Sequence, residues 1–383
     1  MKKITQIILI LTLTFSLSIE KASTEEKIKI GLLVPLTGKN SEIGQSIVKS
    51  TRLAITKINN LSIEIIPKDT KSSPENTLKA AEELNNLGIK IVIGPVFNEN
   101  LIYLNKLSEI TFLSFSNKNN NFSKNIINVG INATSQLNAI KKFIELNEIK
   151  KTIFLTPDTN FKNEIEKAIS NSKIKILENY IYNTNPTKLT KQIEKITRYK
   201  IRKQNLEDEI IRLKKSDQNN KEKLIERLKK RDTLGNINFD SVVISDFDES
   251  LKSVTTSLLY TDVSPKKKYF ITLNQWFDKS LLEEASVQPL YFPSINKDNY
   301  EDFSAEYFEK FNQYPNQLSF LSYDLVGLIY YLVIQNNLVV NEKIFEKKNL
   351  FKGKVGIFEI NNNKINHILN FYKIENNEFK KIF

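Results

Sequence analysis

Short apolar runs alternate with amphipathic stretches along most of this 383-residue chain. Ile28, Ile30, Leu32, Leu33 and Val34 form a run rich in β-branched residues, the pattern of a buried strand. Pro35, Thr37 and Gly38 break it, and Ser41 is placed to cap the helix carried by Ile43, Ile47, Val48, Leu53, Ala54 and Ile58. Ile63 to Ile66 is the next strand. Ser73-Pro74-Glu75 opens a second helix through Leu78, Ala81, Leu84 and Leu87, with Pro74 at a favoured first-turn position and Gly88 at its end. Ile89 to Ile93 is a strand, Glu99 to Glu109 a helix and Thr111 to Phe115 a strand. This βαβα rhythm predicts a parallel, doubly wound sheet with helices on both faces.

The rhythm resumes after Val129-Gly130. Helices are expected at Ser135 to Leu146 and Asn163 to Ser170, with strands at Thr152 to Leu155 and Ile174 to Leu177. Strands follow at Ser241 to Ile244 and Tyr269 to Thr272, then helices at Phe303 to Phe311 and Ser322 to Ile334. Val355 to Ile360 and His367 to Tyr372 read as antiparallel strands about the turn Asn361 to Asn363.

One segment breaks the pattern. Arg198 to Asp232 carries dense charge of both signs around a narrow apolar stripe of Ile201, Leu206, Ile210, Leu213, Leu224, Ile225 and Leu228. Ser216 to Asn220 interrupts it, so the segment predicts a charged helical hairpin, 198–232, inserted in the second half of the fold. It also changes the reading of charge. The net charge is +12, and this segment holds 13 Lys/Arg against 7 Asp/Glu, or +6. Half of the excess sits on one element, so no nucleic-acid partner is expected.

Met1 to Ser18 has a basic n-region, an apolar stretch and small residues before a cut, which marks an export signal with a second cut site as late as residue 23. Its apolar run is shorter than the ~20 residues a membrane span needs. The chain has no cysteine. Disulfides, thiolate metal sites and a lipid-anchored cysteine are therefore excluded, and a periplasmic protein that is not a lipoprotein is expected. His367 is the single histidine, and neither a Walker loop nor GxGxxG occurs. Asp246, Asp248 and Glu249 cluster at a strand end, but no nucleophile–base set accompanies them. No enzyme activity, metal or cofactor is expected.

Six segments resemble the type I periplasmic binding proteins, the superfamily of the leucine/isoleucine/valine-binding proteins. They are KIGLLVPLTG at Lys29–Gly38, EIGQSIVKSTRLAI at Glu42–Ile55 and PKDTKSSPENTLKAAEEL at Pro67–Leu84, then IVIGPVF at Ile91–Phe97, FLSFS at Phe112–Ser116 and LSYDLVGLIYYL at Leu321–Leu332. The resemblance implies an α/β fold of two Rossmann-like lobes with three crossovers, closing by a hinge. Lobe 1 would hold 26–131 and 294–348, and lobe 2 would hold 132–293 and 349–383, with the hairpin inserted in lobe 2. Asn236 to Asp278 is similar to the penicillin-binding protein activator-like branch, on Phe239-Asp240, Asp246, the helix to Tyr260, and Trp276.

The resemblance also implies a ligand cleft at the carboxyl ends of the strands, lined by Thr37, Gly38, Asn98, Ser116, Asn117, Asp246, Phe247, Asn274 and Trp276. Two roles follow from it. One is a non-enzymatic activator-like factor working through a membrane-bound cell-wall synthase. The other is the substrate-binding protein of an ABC permease, holding an amino acid or another small polar solute.

Overall fold

The computed structural model describes residues 27–58, 63–118 and 123–383, so the leader read in residues 1–18 lies outside the described residues. Strands β1 (Ile28–Val34), β2 (Ile63–Asp69), β3 (Ile91–Ile93), β4 (Thr111–Ser114) and β5 (Ile126–Asn128) form one parallel sheet in the order β2-β1-β3-β4-β5. Helices α1 (Ser41–Ile58) and α2 (Pro74–Asn86) connect its first strands. The first of them begins at Ser41 itself. An added Cβ at Gly44 would stand 1.9 Å from the Pro35 carbonyl oxygen. Only glycine lets the first turn of α1 press against the end of β1. Ser73 caps α2 by accepting from the Asn76 N–H.

The chain crosses after β5 and enters α3 (Ala133–Leu146), whose N-cap Asn132 accepts from the Ser135 N–H at 2.8 Å. The second lobe then builds β6 (Thr152–Pro157), α4 (Lys162–Ser172), β7 (Glu178–Tyr182) and α5 (Pro186–Ile196). Helices α6 (Tyr199–Lys214) and α7 (Lys221–Lys229) fold against each other, and β8 (Ser241–Ile244), α8 (Asp248–Tyr260), β9 (Tyr269–Thr272) and β10 (Leu290–Ser294) follow. A second crossing leads to α9 (Lys297–Phe311) and α10 (Ser319–Gln335). Both lie on α1 of the first lobe. Small hydroxyls bring the helices close: Ser46 Oγ is 2.8 Å from Ser319 Oγ, and Ser50 Oγ donates to the Ser319 carbonyl at 2.6 Å.

Three strands, β11 (Asn349–Lys352), β12 (Ile357–Asn361) and β13 (Lys364–His367), make a separate antiparallel sheet. Finally β14 (Asn370–Glu375) pairs antiparallel with β10, and β15 (Glu378–Lys381) completes the order β15-β14-β10-β9-β8-β6-β7. The result is a mixed α/β protein of two lobes. Among the described residues no helix is long and apolar enough to cross a membrane.

Four local readings change. The helix expected at Glu99–Glu109 is two 3₁₀ turns, Asn98–Leu101 and Leu104–Lys106. Leu101, Leu104 and Leu107 recur every third residue, the spacing that a 3₁₀ turn stacks on one face. The strand expected at Ile174–Leu177 begins later, at Glu178, where it pairs with Ile153. It is an edge strand, so its polar residues hide it from a hydrophobicity pattern. Helix α5, capped by Asn185 and started by Pro186, follows it unannounced. In the tail, β12 pairs with β13, and Asn370–Glu375 leaves to join the second lobe's sheet. Of the tail from 349 onward, only β14 and β15 belong to that sheet.

Candidate functional site

A cavity of about 340 Å³ opens where the carboxyl ends of β3 and β4 face those of β8 and β9. Asn98, Ser116 and Asn117 line it from the first lobe, and Gln136, Phe247, Asn274 and Trp276 from the second. Six of the nine residues expected in the cleft thus come together. Thr37, Gly38 and Asp246 do not line the cavity.

Their chemistry says why. The Thr37 hydroxyl donates to Asp69 Oδ2 at 2.6 Å, and Asp69 Oδ1 accepts from the Leu36 and Lys71 N–H groups at 2.8 and 2.9 Å. Burial raises the Asp69 pKa, but these bonds outweigh it and hold the carboxyl below its usual value. Thr37 and Gly38 therefore belong to a turn organised by Asp69. Asp246 accepts from the Tyr182 hydroxyl and, at 2.9 Å, from the Phe247 N–H. Burial pushes the Asp246 carboxyl up, against both bonds, and burial with the neighbouring carboxylate pushes the Tyr182 hydroxyl up as well. Asp248 and Glu249 are exposed, and Glu249 pairs with Lys252 at 3.1 Å. The acidic cluster is thus divided between an internal bond and a surface pair. No group of residues among those described is arranged to hold a metal ion.

Several polar groups that line the cavity are engaged within the protein. Ser116 Oγ donates to Asn98 Oδ1 at 3.1 Å and accepts from the Lys118 N–H at 3.2 Å. Asn274 is buried. Its Oδ1 accepts from Ser294 Oγ at 2.8 Å and from the Trp276 N–H at 3.0 Å, while its own backbone N–H donates to Gln136 Oε1 at 2.8 Å. Gln136 escaped the sequence reading. The one available signal was the capping Asn132, which places residue 136 in the first turn of α3, where the chain leaves the crossover.

Trp276 and Phe277 both have left-handed backbone, at φ +50° and +57°. Each costs about 1–2 kcal/mol for a side chain of this kind. The Asn274 bond to the Trp276 N–H holds the first, and Phe277 is held by edge contacts with Phe292, Tyr372 and Phe379 at centroid distances of 5.7, 5.0 and 5.5 Å. The Trp276 ring meets Phe320 of α10 at 6.2 Å, a contact between the lobes. Asn274→Ala removes both side-chain acceptor bonds and should cost about 2 kcal/mol. A denaturant melt followed by the emission of this single tryptophan measures the loss.

Glu99 and Lys118 stand at the rim of the cavity. No ion pair joins them among the described residues, and Phe247, 36% exposed, lies beside Phe161 on the opposite wall.

Comparison with known proteins agrees with this architecture. The periplasmic binding protein family profile matches residues 27–200. The leucine-binding protein LivK of Thermotoga maritima is 15% identical, with a TM-score of 0.55 over 93% of this chain and 98% of its own. An ABC transporter substrate-binding protein of Desulfitobacterium hafniense, solved with leucine, is 13% identical, with a TM-score of 0.58 over 93% and 100%. The C-domain of LpoA from Haemophilus influenzae, a regulator of PBP1A, is 12% identical, with a TM-score of 0.60 over 93% and 100%. A search among curated protein sequences finds no match.

Proposed function

We propose that this chain, which has the type I periplasmic binding protein fold and matches that family's profile over residues 27–200, is a non-enzymatic periplasmic factor acting through a partner protein. The partner class is a membrane-bound cell-wall synthase, as for the activator-like branch. One observation carries the reading: the Ser116 hydroxyl and the amide oxygens of Gln136 and Asn274 are spent on partners inside the protein, where a solute receptor would turn them to a ligand. Trp276, packed on Phe320, further fills the gap between the lobes.

A second reading rests on a separate observation. The cavity of about 340 Å³ lies within the usual ~300–1,000 Å³ of small-molecule sites, and Glu99 and Lys118 offer opposite charges at its rim. That arrangement suits the amine and carboxylate of an amino acid delivered to an ABC permease.

The melting temperature of the protein, measured against amino acids and small polar metabolites, separates the two. A ligand at about 100 times its dissociation constant adds roughly 2.7 kcal/mol to the native state. The expected result is no selective shift. A shift of a few degrees with one chemical class, accompanied by a change in Trp276 emission, would replace the partner reading with the receptor reading.

A further inference from the structure

A second, larger cavity lies far from the cleft. It encloses about 1540 Å³ between the root of α6, the segment 230–238 and the edge of the second lobe's sheet. Lys151, Asp240 and Lys268 put its floor at the amino ends of β6, β8 and β9, whereas the cleft lies at the carboxyl ends. A molecule held here leaves the cleft open.

The groove is strongly basic. Eight Lys and Arg residues line it against three Asp. Asp240 is met by the Lys151 N–H at 3.1 Å and the Lys268 ammonium at 3.6 Å, and Asp262 accepts from Thr233 Oγ1 at 2.5 Å. Lys195, Arg198, Lys230, Arg231 and Lys267 are exposed, and among the described residues none of them is in an ion pair. Unpaired like charges facing one recess repel one another, and an anionic occupant removes that cost.

The walls are built to stay in place. Arg202 is 3% exposed and spends its guanidinium on the root: Nε donates to the Thr197 carbonyl and Nη1 to Thr233 Oγ1, both at 2.9 Å, and Nη2 to the Thr261 carbonyl. The Leu234 N–H returns to the Arg202 carbonyl at 2.9 Å. A preorganised recess loses little entropy on binding.

We infer that this groove docks an acidic peptide segment of a partner protein. The lining itself selects among polyanions. Ile196, Leu234 and Ile237 lie among the cations, which suits a chain that mixes carboxylates with apolar side chains. A flat bilayer does not reach a floor recessed behind the hairpin root. The inference rests on the partner reading for the source of the peptide.

The test uses the full mature chain and a fluorescein-labelled deca-glutamate peptide, read by anisotropy at about 50 mM salt. Saturable binding is expected. Lys230→Glu with Arg231→Glu should weaken it roughly tenfold with the melting temperature unchanged, as should Lys267→Glu on the facing wall. Lys214→Glu with Lys215→Glu, on the hairpin outside the groove, should leave it unchanged. Absence of saturable binding overturns the inference, as does equal weakening by both hairpin pairs, which would indicate diffuse charge. Tighter binding of heparin or single-stranded DNA, lost in the Lys230/Arg231 variant, overturns the peptide in favour of another polyanion. A solute found in the cleft would overturn the partner reading and leave groove binding intact. Failure at the groove alone would leave that reading standing, with its contact elsewhere.

Discussion

Asp324→Ala is expected to destabilise the protein by about 3–5 kcal/mol, the cost of removing a buried carboxyl on which three main-chain donors depend. Asp324 sits in α10, 2% exposed, and its carboxylate accepts three main-chain N–H bonds from the loop after β11. They come from Lys354 and Gly356 at 2.7 Å and from Val355 at 3.2 Å. Alanine leaves three inward-facing donors without an acceptor. Asparagine at this position is no remedy, because its amide turns a donor toward donors, and Asp324→Asn should lose most of the same energy. Gly353→Ala approaches the site from the other side, with a Cβ 2.4 Å from the carboxyl carbon of Asp324. Chemical unfolding of all three variants, with the slope compared as well as the midpoint, checks the prediction. A loss under about 1 kcal/mol for Asp324→Ala would mean that the loop does not depend on this carboxylate.

The second large effect is a response to acid at His367. The imidazole is buried, with Nε2 2.8 Å from the Val129 carbonyl oxygen, and Nδ1 has no partner. Burial pushes its pKa down to about 4, against the Val129 bond, which favours the cation. The folded state therefore keeps the ring neutral where the unfolded chain, near 6.5, is protonated. The unfolded state binds more protons between those values, so the contribution is complete above about pH 6.5 and is lost as pH falls toward 4. At about 1.36 kcal/mol per unit the loss is about 3 kcal/mol. Asp324 works in the opposite sense. Burial pushes its carboxyl up to about 7 against the three N–H bonds, so its contribution is present near pH 4 and is lost as pH rises through 7. The two windows overlap, and the wild-type curve alone conceals both. His367→Gln removes one, so the stability difference between wild type and this variant should narrow by about 3 kcal/mol between about pH 7 and pH 4. His367 is the only histidine, so its ring proton resonances in untagged protein report the titration directly. A midpoint near the ordinary value of about 6.5 would sink the prediction.

The fold was legible because its strands are buried on both faces. Runs such as Ile28–Val34, Ile91–Ile93 and Ser241–Ile244 need no partner to be recognised, and Pro74 and Gly88 punctuate a helix by local chemistry alone. Elements that depend on tertiary context were not legible. The edge strand Glu178–Tyr182 is identified by its pairing with β6, and the destination of Asn370–Glu375 by its pairing with β10. The cleft divides the same way. Phe247 and Trp276 announce themselves as aromatics after strand ends, but nothing local tells that Asp246 turns to Tyr182, that Thr37 turns to Asp69, or that Gln136 reaches Asn274. Those are choices among partners 32 to 138 residues away. The basic groove was invisible for a further reason: its cations come from segments that read separately as a solvated hairpin and as ordinary loops.

The order in which the strands enter the two lobes has a consequence for how the protein is made. The first lobe lacks its covering helices until α9 and α10 have been synthesised, and the second lacks two strands until β14 and β15 emerge late in the chain. The Val129 carbonyl and the Asp324 carboxylate likewise wait for residues 353–367. Both lobes thus depend on contacts spanning much of the sequence, a topology that folds slowly. The packing of both lobes is therefore completed by elements far along the chain from the strands they cover, α9 and α10 on the first lobe and β14 and β15 in the second.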